Sequence, residues 1–475
     1  MHEPMDELEN VDVVVIGMGP GGEEVATRLA ESGLKVIGVE DALVGGECPY
    51  WGCIPSKMMI RAANLLAEAR RIIGLAGMAT IEPQWSDVAT RIRKEATDNW
   101  DDQVAVDRFA SKGGTLVRGR GSIESPGVVV VGERRFAVAR AVVFATGAHP
   151  QIPPIDGLDH VPHWTNHQAV ATEVLPESII VLGGGAIGVE LAQVFARFGS
   201  QVTIIEGGSG LLLRDEPEAG KVIEEVFRRE GIAVMIGVMA KSVSHEGGFF
   251  TVTLEDGREV TAERLLVATG RSVDLTPLGV DTLGVNPNAH ELAVDSEMRV
   301  LDAEGNVCDG VWAVGDVTGK APFTHMSMYQ ARIAIASILN NPHQEAEYHA
   351  VPHVTFTDPE VGAVGLTERE ARERGIAVAT GAAQVSSSAR GFIHSSGNDG
   401  FMKLVADESL GILVGATSVG PQGGEVLGLL TLAVHERIPV ARLRSMIYAY
   451  PTFHRGIEDA LRDLETNMAK SRSST

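Results

Sequence analysis

The hydrophobic positions follow the same order of elements twice along the chain. An apolar run at 11–16 predicts a buried strand, and a glycine-rich turn, a helix and a second buried strand follow it and end at Glu40. The same order begins again at 178, passes through a second glycine-rich turn at 183–188, and ends at Glu206. We therefore predict an α/β fold that contains an internal repeat at the scale of a domain.

Outside this repeat, the hydrophobic periodicity changes. Two long stretches with helical spacing follow the first unit, at 57–73 and 87–112. From 351 onward, short strands alternate with helices, and no glycine-rich turn recurs. The last third of the chain is therefore predicted to form a separate α+β domain.

Both glycine-rich turns have the spacing of a dinucleotide-binding motif, in the required order of strand, turn, helix, strand and acid. The glycines permit a tight turn and let the backbone approach a pyrophosphate, whose charge faces the helix N-terminus. The acid can accept hydrogen bonds from a ribose. Two bound dinucleotides are therefore predicted, one per unit. The residues are Gly17, Gly19, Gly22 and Glu40 in the first unit and Gly183, Gly185, Gly188 and Glu206 in the second.

Two of the three cysteines, Cys48 and Cys53, lie close together after the first unit. A regular helix would separate their Cα atoms by about 8–9 Å, whereas a disulfide tolerates about 7 Å. A bond between them requires a bend, which Pro49 and Gly52 permit. We predict that Cys53 begins a helix, where the helix N-terminus and Lys57 favour its thiolate. The stretch is interpreted as a redox-active pair; the alternatives are a structural disulfide or two unrelated thiols.

Composition restricts the class of protein. The chain has 475 residues, of which 44% are hydrophobic, enough for about two to four domains with full cores. Its formal net charge of −23 and the lack of a Lys/Arg cluster argue against nucleic-acid binding. No segment approaches membrane-spanning length, and the opening residues 1–4 do not predict a secretory signal. We expect a cytoplasmic protein with no membrane partner and no metal site.

Taken together, these motifs resemble the class I pyridine nucleotide–disulfide oxidoreductases, the family of lipoamide dehydrogenase, glutathione reductase and mercuric reductase. The resemblance includes both glycine-rich turns, the 53–57 ending of the cysteine pair, and Gly315-Asp316 after a predicted strand. It implies two Rossmann-like dinucleotide-binding domains, for FAD and NAD(P)H, and a C-terminal α+β dimerisation domain. The implied boundaries are 1–155 and 276–348 for the FAD domain, 156–275 for the NAD(P)H domain, and 349–475 for the dimerisation domain.

The resemblance also implies roles for single residues. Cys53 would lie near the flavin, and Cys48 would attack the acceptor. Lys57 and Glu190 would pair at the reactive edge of the isoalloxazine. Electrons would pass from nicotinamide to flavin, then to the Cys48–Cys53 disulfide, and by thiolate exchange to an acceptor, in a homodimer whose active sites use both chains. The other implied cofactor contacts are Gly46, Gly121, Thr146, Gly147, Gly270, Arg271, Asp316 and Thr324.

The choice between NADH and NADPH depends on charge at the end of the second unit. Glu206 would repel a 2′-phosphate and can accept hydrogen bonds from both free ribose hydroxyls. The next four residues, 207–210, include no Arg or Lys, and Arg214 is the nearest base. We therefore expect NADH, with NADPH the less suitable cofactor.

One stretch near the C-terminus departs from the family pattern. Most disulfide reductases of the family carry His-Pro-Thr with a Glu three positions after the Thr; the His protonates the leaving thiolate and the Glu orients it. Here Tyr450 stands in place of the His and Arg455 in place of the Glu. A phenol is a poorer proton shuttle than an imidazole at neutral pH. Tyr450 stays the candidate catalytic residue here, but ordinary lipoamide or glutathione reduction is disfavoured.

Several other features leave alternatives open. His454 and Glu458 could form a displaced acid–base pair or an exposed helical pair. His325 could face the flavin or cap a helix. Cys308 fits a core position better than a ligand. The aromatic insert at 49–51 could narrow access to the disulfide, offer a face to a flat acceptor, or simply pack.

Three functions follow from these observations. The first is an NADH-dependent, FAD-containing dimeric oxidoreductase with an active disulfide and an unidentified acceptor, for which a small disulfide or a protein dithiol partner is a candidate. The second passes electrons from flavin directly to quinones or dyes. The third, a flavin-bearing redox sensor without turnover, is disfavoured by the complete hydride path. Mercuric reduction is disfavoured because the C-terminal residues 471–475 contain no second cysteine pair.

Overall fold

The computed structural model describes residues 8–474, which form two compact units. The first unit contains the described residues up to 56, together with 90–151 and 271–347. The second contains 57–89, 152–270 and the described residues from 348 onward. Residues 1–4, from which we predicted the lack of a secretory signal, lie outside the described range. Among the described helices, none combines the length and the hydropathy needed to cross a membrane.

The first unit is built on an eight-stranded sheet around the central strand Leu8–Ile16. The second half of this strand, residues 13–16, is apolar and buried on both faces, as expected of a parallel strand covered on both sides. Along the main path the strands are Arg299–Leu301, Val307–Ala313, Arg134–Phe144, Leu8–Ile16, Val36–Glu40 and Thr115–Arg118. All neighbours on this path pair in parallel except the first two. The antiparallel strands Gly121–Ser125 and Val128–Val131 extend from Arg134–Phe144.

Helices follow the strands where the sequence predicts them. Pro20–Glu31 begins within the first glycine-rich turn, so that Gly22 is already helical, and Pro20 lies in its first turn, where the missing N–H has no cost. The helix Cys53–Arg71, called here the cysteine helix, begins in the first unit and continues into the second. The remaining α-helices of the first unit are Glu47–Tyr50, Gln103–Ser111 and Thr324–Ile338, and Trp85–Arg91 continues into this unit from the second.

The stretch predicted as one helix at 87–112 is interrupted. The helix Trp85–Arg91 passes into a π-helical turn at Ile92–Ala96, and Asp98, Asn99 and Trp100 then have φ angles of 47°, 57° and 58°. A right-handed helix cannot continue through three left-handed residues. Tertiary contacts outweigh the helical periodicity here, because the Trp100 ring stacks on another indole ring of the same unit at a centroid distance of 5.3 Å.

The second unit repeats the strand order of the first. Its parallel sheet has the order Ala233–Ile236, Gln201–Glu206, Ser178–Leu182 and Arg264–Val267. An antiparallel sheet of Ala240–Glu246, Phe249–Leu254 and Glu259–Ala262 accompanies it. The helix that follows the second glycine-rich turn is Ala186–Phe198, called here the Glu190 helix. The other helices of this part are Asn166–Ala171 and Pro217–Arg229. The predicted internal repeat is therefore present in the topology.

The last part of the second unit is an antiparallel five-stranded sheet with helices. Its strand order is Pro352–Thr355, Glu360–Gly365, Ile412–Gly420, Phe401–Asp407 and Val378–Gln384. The helices are Glu368–Glu373, Ala389–His394, Gly423–His435, Val440–Arg444 and Arg455–Ser474. Buried side chains from the sheet and from the helices Gly423–His435 and Arg455–Ser474 form one hydrophobic core, so this part has the α+β character that the sequence predicts.

Candidate active site

The first and last glycines of the two turns are confined by their own backbone. Gly17 and Gly183 have φ angles of 94° and 107°, which side chains rarely adopt, and a Cβ on either would lie 2.4 Å from a backbone carbonyl oxygen. At Gly22 and Gly188, a Cβ would lie 2.0 Å and 2.1 Å from the carbonyl oxygen of the first glycine. Glycine is therefore required at all four positions for the turn itself to close.

The middle glycines are different, because the protein alone does not require them. Gly19 and Gly185 have extended backbone angles, with φ of −67° and −78°. No described atom other than those of the adjacent residues lies within 4 Å of a Cβ added at either position. The open side of each turn is thus the side from which a pyrophosphate can approach the backbone. Gly46 lies against the first turn, since its Cβ would be 2.8 Å from Gly19 Cα.

The two acids that end the units make the same pair of contacts. Glu40 accepts a hydrogen bond from the Met18 N–H at 2.8 Å and from the N–H two residues after itself at 2.9 Å. Glu206 accepts from the Gly184 N–H and from the N–H two residues after itself, both at 2.6 Å. Burial raises the pKa of Glu40 against these backbone bonds. Each carboxylate is held beside its glycine turn, where its remaining lone pairs can accept from ribose hydroxyls.

The cysteine pair lies on a bend between two helices. Glu47–Tyr50 ends before Cys53 begins the cysteine helix, so the predicted break in regular helix is present. Neither of these cysteines is in a disulfide, and Cys48 is half-buried whereas Cys53 is exposed. The pKa of Cys48 is raised, mainly by a hydrogen bond with Cys53 and secondly by burial. The Thr324 hydroxyl opposes this shift. Cys53 Sγ lies 3.4 Å from Thr324 Oγ1. The structure therefore brings both thiols and this hydroxyl into one cluster.

Arg271 lies at a second cluster of the same unit. Its guanidinium is 3.3 Å from the Glu47 carboxylate and donates to the Ala148 carbonyl oxygen, and its Nε is 3.8 Å from Asp316 Oδ2. Burial raises the pKa of Asp316; Arg271 opposes the shift, and Glu47 and Cys53 add to it. Arg271 Nε is buried and has no hydrogen-bond partner among the described residues.

These features of the first unit fit FAD. The open side of the Gly19 turn suits a pyrophosphate, and the half-buried Asp316 carboxylate can accept hydrogen bonds from the hydroxyls of a ribityl chain. The orphaned Arg271 Nε is a donor that a bound group can satisfy. Thr146 and Gly147 lie two and three residues after the end of the strand Arg134–Phe144, and the Thr146 backbone nitrogen lies beside the first turn, 2.9 Å from a Cβ added at Gly17. Gly121 is buried, where a Cβ would be 3.2 Å from a neighbouring side chain, so packing alone explains that glycine.

The predicted pair Lys57 and Glu190 forms an ion pair in the second unit. Lys57 Nζ lies 2.9 Å from Glu190 Oε2, and the Glu190 side chain is 6% exposed. The other carboxylate oxygen of Glu190 accepts a hydrogen bond from the Phe356 N–H at 2.8 Å. Sequence reasoning did not single out Phe356, because a backbone donor leaves no signature in residue type.

Comparison with known proteins agrees with this geometry. Residues 11–336 match the family model for pyridine nucleotide-disulphide oxidoreductases, and residues 351–461 match the model for their dimerisation domain. The chain belongs to this family. The predicted family and the predicted fold class are thereby confirmed.

Relatives in the family extend over nearly the whole chain. A mercuric reductase of Streptomyces lividans is 31% identical, with 97% of each chain covered, and a dihydrolipoyl dehydrogenase of Halobacterium salinarum is 33% identical, with 96% of each covered. Among solved structures, LpdA of Mycobacterium tuberculosis matches with a TM-score of 0.82 at 26% identity, covering 96% of this chain and 99% of LpdA. The HOCl-induced flavoprotein disulfide reductase RclA of Escherichia coli matches with a TM-score of 0.81 at 25% identity, with the same coverage.

Family membership establishes the general chemistry. The protein is an FAD-dependent oxidoreductase of the disulfide family that uses NAD(P)H. Its relatives include both mercuric reductases and dihydrolipoyl dehydrogenases, so the family does not identify the acceptor.

Tyr450 and Arg455, the residues that replace the family's His and Glu, contact each other near the C-terminus. Tyr450 is 71% exposed, and Arg455 Cζ lies 5.7 Å from the centre of its ring. The Glu458 carboxylate accepts hydrogen bonds from Arg444, at 3.0 Å, and from Arg455. Although burial opposes them, these bonds hold the pKa of Glu458 below its usual value. Glu458 is thus engaged by two arginines, which argues against a displaced acid–base pair with His454.

The remaining candidates have structural contacts. Cys308 lies in a strand and donates to a backbone carbonyl oxygen at 3.6 Å, and burial raises its pKa. The His325 ring stacks on Phe323 at a centroid distance of 5.2 Å. In the aromatic insert, Trp51 stacks on Trp100, which favours plain packing. Residues 8–474 contain no group of three or more His, Cys, Asp or Glu side chains that could hold a metal.

Proposed function

We propose that this protein is an NADH-dependent disulfide reductase in which the Cys48–Cys53 pair carries electrons from bound FAD to a disulfide acceptor. The observation that carries the proposal is the cluster of Cys48, Cys53 and Thr324, in which Cys53 Sγ lies 3.4 Å from Thr324 Oγ1 and both of these residues shift the pKa of Cys48. Two thiols held together at a helical bend can close to a disulfide and reopen with little movement of the chain.

In this proposal FAD, when bound, exchanges an electron pair with nicotinamide on one side and with the thiol pair on the other. The Cys48 thiol, whose pKa is raised, loses its proton and attacks one sulfur of the acceptor disulfide to form a mixed disulfide; the other acceptor sulfur leaves as a thiolate and takes up a proton. The thiolate of Cys53 then attacks Cys48 Sγ, restores the Cys48–Cys53 bond and expels the second acceptor thiolate. The acceptor is thereby reduced by two electrons, and the pair is oxidised by two.

The proposal includes a homodimer and the domain boundaries given above. The match to the dimerisation domain at 351–461 supports the dimer. Large apolar side chains are exposed in the same part of the chain, with Phe392 at 80% and Ile447 at 99%. A second copy of the chain is the natural cover for such side chains in this family. In that dimer, Tyr450 is the candidate group that supplies a proton to the leaving thiolate.

A second function, direct electron transfer from flavin to quinones or dyes, is favoured by one observation. The groups at 450 and 455 are a tyrosine and an arginine, and the nearby Glu458 is engaged by arginines. Thiolate exchange therefore lacks the family's usual acid–base pair. Transfer to a quinone needs no such pair.

Anaerobic titration of the purified, oxidised protein with NADH separates the two functions. We expect a long-wavelength absorption band after one equivalent, because a thiolate then lies against oxidised flavin. Alkylation and mass spectrometry should show two new modified thiols, at Cys48 and Cys53. Bleaching of the flavin spectrum without the band and without new thiols would contradict the disulfide reductase and support direct transfer to quinones.

NADH is expected to exceed NADPH in kcat/KM by at least about tenfold, the ratio that corresponds to roughly 1.4 kcal/mol of binding. The reason is the Glu206 carboxylate, which lies beside the second glycine turn and would face a 2′-phosphate. Glu206→Ala should raise the KM for NADH and so bring the kcat/KM values for NADH and NADPH closer together. The FAD content should not change, because Glu206 belongs to the second unit's turn. Equal kcat/KM values for the two cofactors in the unaltered protein would contradict this prediction.

A further inference from the structure

Phe356 contacts both members of the Lys57–Glu190 ion pair. The Glu190 carboxylate is 6% exposed and the Lys57 side chain is 33% exposed. A buried carboxylate needs more than one partner to offset its lost hydration. Glu190 Oε2 takes the Lys57 ammonium at 2.9 Å, and Oε1 takes the Phe356 N–H at 2.8 Å. The Phe356 ring centroid also lies 4.8 Å from Lys57 Nζ, within the range of a cation–π contact. One residue therefore contacts both members of the pair.

The segment Phe356–Asp358, called here the Phe356 segment, is held by the same helix that carries Glu190. Gln193 lies three positions after Glu190, on the same face of the Glu190 helix. Its amide oxygen accepts from the Asp358 N–H at 2.8 Å, and its amide nitrogen donates to the Asp358 carbonyl oxygen at 3.0 Å. This two-point clamp fixes the backbone two residues after Phe356.

Two arginines, the buried Arg197 and the half-buried Arg71, hold the other end of the segment. The Asp358 carboxylate lies 2.8 Å from Arg197, the next residue on the same helix face, and 2.7 Å from Arg71. The Arg197 side chain is 2% exposed and also contacts Glu230 at 2.6 Å. Although burial opposes them, the charges of Arg197 and Arg71 lower the pKa of Asp358, so this carboxylate is ionised at neutral pH.

The cysteine helix joins the same network at a regular spacing. Lys57, Asn64 and Arg71 are seven residues apart, which is nearly two helical turns, so they share one face. Lys57 contacts Glu190, Asn64 accepts from Arg197 at 2.6 Å, and Arg71 contacts Asp358. Within this network the cations Lys57, Arg71 and Arg197 face the carboxylates of Glu190, Asp358 and Glu230, and Arg71 also pairs with the exposed Glu68 at 2.9 Å. A continuous polar network therefore joins the cysteine helix to the Glu190 helix, and the Phe356 segment contacts both helices.

We propose that Phe356, Gln193 and Asp358 are positioning residues that set the geometry of the Lys57–Glu190 pair for the exchange of electrons between NADH and FAD. Gln193 and Asp358 act through the Phe356 segment. In this segment the Phe356 N–H donates to Glu190, and the Phe356 ring makes a cation–π contact with Lys57. The inference rests on the proposed function, because it is the proposed function that places the Lys57–Glu190 pair at the reactive edge of the flavin.

Gln193→Met tests the proposal, since it keeps side-chain volume and charge but removes both bonds to the Asp358 backbone. We expect the limiting rate of flavin reduction by saturating NADH, measured by anaerobic stopped flow, to fall about tenfold, because small displacements of positioned groups cost this much or more. The KM for NADH and the FAD content should not change.

A second readout needs no turnover. In the FAD-free protein, acetic anhydride and mass spectrometry give the acetylation rate of Lys57 relative to the exposed Lys241. Gln193→Met should raise this ratio by about threefold or more, the scale of one weakened hydrogen bond. The matched control is Ser200→Ala, which removes a comparably buried hydrogen bond of 2.6 Å to the Pro176 carbonyl oxygen. The control should lower the melting temperature but leave both readouts at the unaltered value.

Each outcome decides a separate point. If Gln193→Met lowers only the melting temperature, as the control does, the residue is merely structural and the proposal is overturned. If Gln193→Met does not fold, Phe356→Leu replaces it, since it keeps the N–H bond and removes the ring; unchanged Lys57 acetylation and unchanged flavin reduction in that variant overturn the proposal. If Lys57→Met reduces flavin at the unaltered rate, the role of the pair in the proposed function fails, whereas the acetylation ratios still report whether the segment positions Lys57.

Discussion

Cys48→Ser is expected to lower NADH-dependent reduction of disulfide acceptors by at least about a thousandfold, the scale seen when an attacking nucleophile is removed. A serine hydroxyl cannot form the mixed disulfide with the acceptor, and it cannot receive electrons as half of a disulfide. The change is small in volume, and Cys48 is only half-buried, so the fold should tolerate it. The measurement is kcat/KM with a panel of small disulfides, together with NADH-dependent reduction of a quinone or dye.

The two activities should respond differently. Reduction of a quinone or dye requires only NADH and flavin, so we expect it to persist in Cys48→Ser. Cys308→Ser is the control, since this thiol lies in the strand Val307–Ala313 and donates to a backbone carbonyl oxygen. It should leave both activities unchanged. Disulfide reduction that survived Cys48→Ser would show that the thiol pair is bypassed.

Gly19→Ala and Gly185→Ala are expected to separate the two dinucleotide sites. Both positions have ordinary backbone angles and no described atom near an added Cβ beyond the adjacent residues, so the folded protein should accept either alanine. The new methyl group occupies the side from which a pyrophosphate approaches. Overpacking of this kind costs about 1–3 kcal/mol, which corresponds to a loss of affinity of roughly 5- to 150-fold.

The losses should fall on different cofactors. Gly19→Ala should purify with reduced FAD content and require added FAD for activity. Gly185→Ala should keep its FAD and show a raised KM for NADH. Gly428→Ala is the control, because this position in the helix Gly423–His435 also has open space around an added Cβ, and alanine favours helix. Equal FAD loss in both turn variants would contradict the assignment of one dinucleotide to each unit.

Much of the fold follows from local patterns. The strand Ser178–Leu182 begins at the position where the sequence predicts the second unit to begin, and the bend between the cysteines lies where Pro49 and Gly52 permit it. These features depend on residues close in sequence, whose periodicity and backbone preferences can be read directly. The stretch 87–112 shows the limit, because Trp100 takes a left-handed φ to stack on Trp51, a residue far away in sequence.

The order of amino acids was sufficient to predict the α/β fold with its repeated turns, the family, and the residue types at the candidate site. The glycine spacing, the acids that end the units and the cysteine pair involve residues close in sequence, so they can be recognised from the sequence directly. The tertiary structure alone decided what those residues contact. The Phe356 N–H reaches Glu190 across 166 positions, and Lys57 reaches the same carboxylate across 133. Such contacts depend on where distant elements meet, and a backbone donor has no residue type by which a sequence could predict it.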